Sequence, residues 1–123
     1  MVSLNLLVMR TSNIDAMLRF YSALGLVFVE EQHSSGPIHY ACELGNIVIE
    51  IYPGEAGSAP NATASGSTTS GFQVETLDAV LADLKQLGID LLSPPKDAAW
   101  GRHCTVLDPD NRRVILSQSA APT

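Results

Sequence analysis

The chain has 123 residues, 46% of them apolar and 16% charged, with a formal net charge of −6. That length sets one modest domain burying roughly 60–70% of its unfolded surface, and the composition excludes a disordered chain. The acidic balance argues against nucleic acid, whose binding faces are basic, and no apolar run approaches the ~18 residues of a membrane span.

The first ten residues, MVSLNLLVMR, lack a charged segment followed by a small-residue cleavage site, so no signal peptide is expected. A first strand is expected over residues 3–9. A helix follows over 13–26, capped by Ser12 or Asn13, with Ile14, Met17, Leu18, Tyr21 and Leu24 on one face and Gly25 suited to a left-handed C-terminal position. A short strand starts at Leu26, and a hairpin spans 38–52 with Gly45-Asn46 as its turn. Residues 53–70, rich in Gly, Ala, Ser and Thr, read as a flexible linker. A strand over 71–75, a helix over 76–89, a short strand from Ile89 and a hairpin over 103–118 complete the chain. Cys42 and Cys104 fall in strands without metal-ligand spacing, which fits a cytoplasmic protein with two buried thiols.

The two halves repeat. Asp15, Ala16, Leu18, Leu24 and Gly25 recur as Asp78, Ala79, Leu81, Leu87 and Gly88, each displaced by 63 positions. Five identities at one offset, cap to cap, point to duplication. Each half therefore reads β-α-β-β-β, and the fold class is α+β, with modules at 1–52 and 71–119.

Strand alternation sorts the hairpin faces. In the first hairpin Leu44 pairs with Ile47, Cys42 with Ile49 and Tyr40 with Ile51, an apolar face for a helix. The other face holds His39, Ala41, Glu43, Val48, Glu50 and Tyr52. In the second, a five-residue turn at 108–112 turns Cys104, Val106, Val114 and Leu116 to a helix. It leaves His103, Thr105, Arg113, Ile115 and Ser117 on the other face. Apolar and polar groups together on that second face suit the lining of a ligand cavity.

Paired βαβββ modules with FYSALGL, ELGNIVIEIY and WGRHCTVLDPDN resemble the vicinal oxygen chelate superfamily of glyoxalase I, bleomycin resistance proteins and extradiol dioxygenases. Where the family usually has Gly after Asp-Pro-Asp, this chain has Asn111, a tolerable left-handed substitute. The resemblance implies two modules forming one domain, 1–123, a curved mixed-sheet cup with helices on its outer face. It also implies that homodimers are common. Its enzymes hold a divalent metal through one residue from the first and one from the last strand of each module. Those positions here are Asn5, Glu50, Thr69 and Ile115, of which only Glu50 is a strong ligand.

The expectation is accordingly a metal-free binding protein without cofactor, similar in build to bleomycin resistance proteins, holding a drug-like or metabolite ligand in a cavity between modules. Trp100 and Tyr52 could stack on a planar ligand, Glu50, His39, Gln73, His103 and Thr105 could orient it beside Ile115, and Arg102 or Arg113 could meet an anionic group. The alternative is a metal-dependent lyase, isomerase or dioxygenase with a shifted ligand set of His39, Glu50 and His103. A third reading is a partner-binding or regulatory module using a dimer surface.

Overall fold

A computed structural model describes residues 1, 3–55 and 69–119. The chain divides into two compact units, Met1–Gly57 and Ser58–Thr123. In the first, β1 (Leu6–Thr11), α1 (Ile14–Ala23), β2 (Val29–Glu31), β3 (His39–Leu44) and β4 (Ile47–Pro53) form a sheet of order β1-β4-β3-β2 with α1 against β4. In the second, β5 (Thr69–Gln73), α2 (Leu77–Gln86), β6 (Leu91–Ala98), β7 (Gly101–Leu107) and β8 (Arg113–Ser119) repeat that order as β5-β8-β7-β6, with α2 against β8. Both sheets are mixed. The first strand of each pairs parallel with the last, and the other pairs are antiparallel.

The helix is what makes the parallel pair possible, because parallel strands need a long crossover. Met17, Phe20 and Tyr21 of α1 are fully buried, with the two rings edge to face at 4.9 Å. On the sheet beneath, Met9, Cys42, Ile49 and Ile51 are buried. Each large apolar side chain so buried contributes about 1.5–3 kcal/mol. The second unit answers with Leu77, Val80 and Leu84 over Cys104, Val106, Val114 and Leu116. Phe20 joins the core although the expected apolar face omitted it. The two C-cap leucines differ: Leu24 of α1 is 7% exposed and Leu87 of α2 is 40% exposed.

Both helices end in the same motif. Leu26 N–H donates to Tyr21 C=O and Gly25 N–H to Ser22 C=O, while Ile89 and Gly88 donate to Leu84 and Lys85 in the same pattern. This double bond requires a left-handed residue, supplied by Gly25 (φ +110°) and Gly88 (φ +79°). The starts differ. Asn13 Oδ1 accepts from Ala16 N–H at 3.1 Å, whereas Thr76 makes no side-chain cap. At α2 the Leu77 N–H donates instead to Gln118 Oε1 of β8 at 2.7 Å.

Both hairpin registers match the alternation argument, with Cys42 opposite Ile49 and Cys104 opposite Leu116. In the second, the buried Asp108 carboxylate accepts from the N–H groups of Asp110 and Arg112 at 2.9 Å and from the Arg112 guanidinium. Asn111 takes the left-handed position at φ +65°. Some boundaries move: β1 begins at Leu6, and β5 begins at Thr69, inside the expected linker. Residues 56–68 of that linker lie outside the described residues. β6 outgrows the expected short strand and runs through Pro94 and Pro95 with register shifts. An edge strand tolerates prolines because their missing N–H groups need no partner.

Both cysteines are buried free thiols. Burial pushes the Cys104 thiol up from its ordinary value, only partly offset by Arg102. Asp108→Ala should lower stability in urea by about 2–3 kcal/mol, because two buried N–H groups lose their acceptor, while Asn111→Gly should change it by under about 1 kcal/mol. The raised Cys104 value means a stability contribution fully present below the unfolded thiol pKa and lost as pH climbs through the folded one. Native Cys104 should therefore resist a disulfide reagent at pH 8 and react at once in guanidinium; fast native labelling would contradict its burial.

Candidate functional site

The face of the first sheet turned from α1 carries a row of functional groups, one from each strand. Arg10 of β1 pairs with Tyr52 of β4, the Tyr52 ring stacks on His39 of β3 at 4.2 Å and 6°, and His39 pairs with Glu31 of β2. The Arg10 guanidinium carbon lies 5.6 Å from the Tyr52 ring centroid, a cation–π contact. His39 is only 1% exposed. Its Nδ1 lies 3.3 Å from the Pro37 carbonyl oxygen. Its Nε2 lies 3.2 Å from Glu31 Oε1 and 3.5 Å from Glu50 Oε2. Glu50, one row on, stands beside Val8 and Ala41. Glu31 Oε1 also lies 3.7 Å from Nε2 of the exposed His33.

The corresponding row of the second sheet reads Gln73, Ser117, His103 and Lys96. Arg10 and Gln73 are separated by the same 63 positions as the repeated helices. His39 and His103 thus hold one module position, with Glu31 replaced by Lys96 and Tyr52 by Ser117. The aromatic partner is restored from outside the row: Trp100, in the turn before β7, stacks on His103 at 4.2 Å and 25°. Trp100 is 59% exposed and Ile115 39%, while Thr105, opposite Ile115, takes Ser93 Oγ on its N–H. Gln73 donates to Ser119 Oγ.

Two arginines considered for an anion stand differently. Arg113 pairs with Thr69 and Leu107 on the same face as Ile115. Arg102 lies on the other side, in the alternation of Cys104, and bridges Asp78 of α2 and Asp97 of β6, each at 3.3 Å. Partial burial alone would lower its value, but the two carboxylates outweigh that and raise it. Its hydrogen bonds tie helix to strand.

Sequence reasoning named His39, Glu50 and Tyr52, and the structure brings them together. His103, from the shifted set, belongs with Trp100 in the second unit. Glu31, His33 and Arg10 were missed. The signal was available as Glu31-x-His33 before His39, but a seven-residue connection hid their meeting.

The model of the glyoxalase/bleomycin resistance protein/dioxygenase superfamily matches residues 3–116. The chain belongs to that superfamily. No curated protein matches it. Among solved superfamily structures, a glyoxalase/dioxygenase from Nostoc punctiforme shares 16% identity over 97% of this chain and 92% of its own, with a TM-score of 0.77. TnmS3, an antibiotic binding protein from Streptomyces sp. CB03234, shares 19% over 98% of each chain at 0.66. The fosfomycin resistance protein FosX from Mesorhizobium loti shares 20% over 94% of this chain and 89% of its own at 0.62. These similarities establish the superfamily fold.

The superfamily's metal positions do not fit a metal in this chain. Ile115 offers only hydrocarbon and its β5 neighbour is Gly71; beside Glu50 on β1 stands Val8. Asn5 precedes β1, where its carbonyl accepts from Val48, and Thr69 sits beside Arg113. Glu50 is left as a lone carboxylate among the four. The two histidines offer a check on these environments. His39→Ala should lower stability in urea by about 2–4 kcal/mol, because a buried stacked ring is lost. His103→Ala, at a half-exposed site, should cost under about 1 kcal/mol; equal losses would contradict the difference in burial.

Proposed function

We propose that this superfamily member is a small-molecule binding protein, sequestering a drug-like or metabolite ligand without metal chemistry at the superfamily's usual positions. The observation that supports this reading is the pair of aromatic–imidazole stacks, Tyr52 on His39 and Trp100 on His103, each on the sheet face turned from its helix. A planar ligand gains area and stacking energy from the exposed indole. On the same sheet as that indole, Gln73 and Thr105 supply hydrogen-bonding groups, and Ile115 supplies apolar surface. The described antibiotic binding of TnmS3 and fosfomycin resistance of FosX lend the reading a substrate class. Working as a cytoplasmic homodimer belongs to the same proposal, in keeping with two free thiols.

Thermal shift of the EDTA-treated protein with bleomycin and a panel of planar aromatic or cationic antibiotics tests this. At least one should stabilise it, by about 2.7 kcal/mol at a hundredfold excess over Kd. Trp100→Ala should weaken that ligand tenfold or more. Metal-dependent conversion of such a compound, abolished by Glu50→Gln, would overturn the reading in favour of a lyase, isomerase or dioxygenase.

A further inference from the structure

We propose that Glu31, His33 and His39 form a divalent transition-metal site of the zinc, cobalt or nickel type, separate from the positions the superfamily uses. Among the described residues, one ligand atom from each of these three lies within 4.8 Å of the other two. The separations from Glu31 Oε1 are 3.2 Å to His39 Nε2 and 3.7 Å to His33 Nε2. Donors about 2.0–2.1 Å from a tetrahedral ion stand about 3.3–3.4 Å apart, so the two Glu31 spacings need little adjustment, and the exposed His33 side chain is free to rotate and bring its nitrogen to that distance from His39.

The stronger argument comes from His39 itself. The Pro37 carbonyl beside Nδ1 can only accept, which places the proton on Nδ1. Carbonyl anchoring of the far nitrogen is how proteins orient a metal-binding imidazole. The electron pair on Nε2 of this buried ring then faces Glu31 Oε1 and Glu50 Oε2, two acceptors. Lone pairs so opposed need a positive centre between them, either a proton or a metal ion. Two imidazoles and one carboxylate favour zinc, cobalt, nickel or copper over magnesium or calcium. Glu50 adds a second negative charge next to the site, and three protein donors leave a coordination position open.

The connection between β2 and β3 delivers His33. Gly36 N–H donates to His33 C=O at 3.0 Å, Gln32 Nε2 donates to Gly36 C=O at 2.9 Å, and Ser34 takes a left-handed φ of +54°. This turn folds the chain back so that His33 returns to the end of β2. The second unit supplies an internal comparison, since His103 faces Lys96 where His39 faces Glu31. A cation is disfavoured there.

Cobalt(II) and zinc(II) added to the EDTA-treated full chain test this site. One equivalent of cobalt should bind with visible bands of a four-coordinate N/O centre, zinc should displace it, and magnesium should not. In 15N NMR the His39 Nε2 resonance should move on zinc addition while Nδ1 keeps its proton. His33→Ala, at an exposed position, should weaken binding at least tenfold, as should Glu31→Gln, whereas His103→Ala should leave it unchanged. Absence of saturable binding, or equal binding by His33→Ala, would overturn the proposal and leave a proton alone on Nε2. Antibiotic stabilisation in EDTA is read separately, so failure of one proposal leaves the other standing.

Discussion

Side chains along a strand alternate between two faces, so the length of a hairpin turn decides which residues meet the helix and which are left for chemistry. In this protein two turns carry that decision. Gly45-Asn46 sets Cys42 opposite Ile49, and the Asp108–Arg112 turn sets Cys104 opposite Leu116. A slip of one residue in either would move Ile51 or Val114 away from its helix and bury Glu50 or Arg113 instead. Such an exchange costs several kcal/mol in lost apolar burial and unpaired charge. The Asp108 carboxylate, buried and satisfied by two backbone N–H groups, is therefore a register pin as much as a turn residue.

The chain holds two copies of this arrangement, alike in strand order and helix caps and different on their open faces. Identical C-terminal caps close both helices. Across the open faces, Glu50 corresponds to Ile115, Tyr52 to Ser117 and Glu31 to Lys96. A core position is constrained by every neighbour it touches, so change there is costly. A position on the open face answers mainly to what it binds. The first unit has kept carboxylates around its histidine, and the second has gathered an indole around its own.

The parts of the fold legible in the sequence were those set by local chemistry. Asn13, Gly25, Gly88 and the Asp-Pro-Asp-Asn turn act within a few residues of themselves, and the hairpin faces follow from alternation alone. What escaped was non-local. The cap of α2 comes from Gln118, 41 residues away in the chain, because Thr76 does not serve. Phe20 lies off the helical stripe drawn from the repeat, yet it fills space beside Tyr21. The meeting of Glu31, His33 and His39 depends on how a seven-residue connection folds, which no periodicity encodes. Of the anticipated site, Glu50, His39 and Tyr52 were readable because strand parity places them together. Arg102 was misjudged because its partners, Asp78 and Asp97, lie on other elements.

The prolines of β6 reach beyond the geometry of one hairpin. β6 ends its sheet's strand order, and an outermost strand ordinarily offers a row of amide hydrogens to any passing chain. Pro94 and Pro95 remove two successive amide hydrogens, whichever way each would have pointed, and Lys96 adds a charge. Sheet extension through this edge is thereby discouraged, which guards a small protein at cellular concentrations against ordered aggregation. Of the four outermost strands, β1, β2, β5 and β6, β6 alone carries this protection in its own backbone.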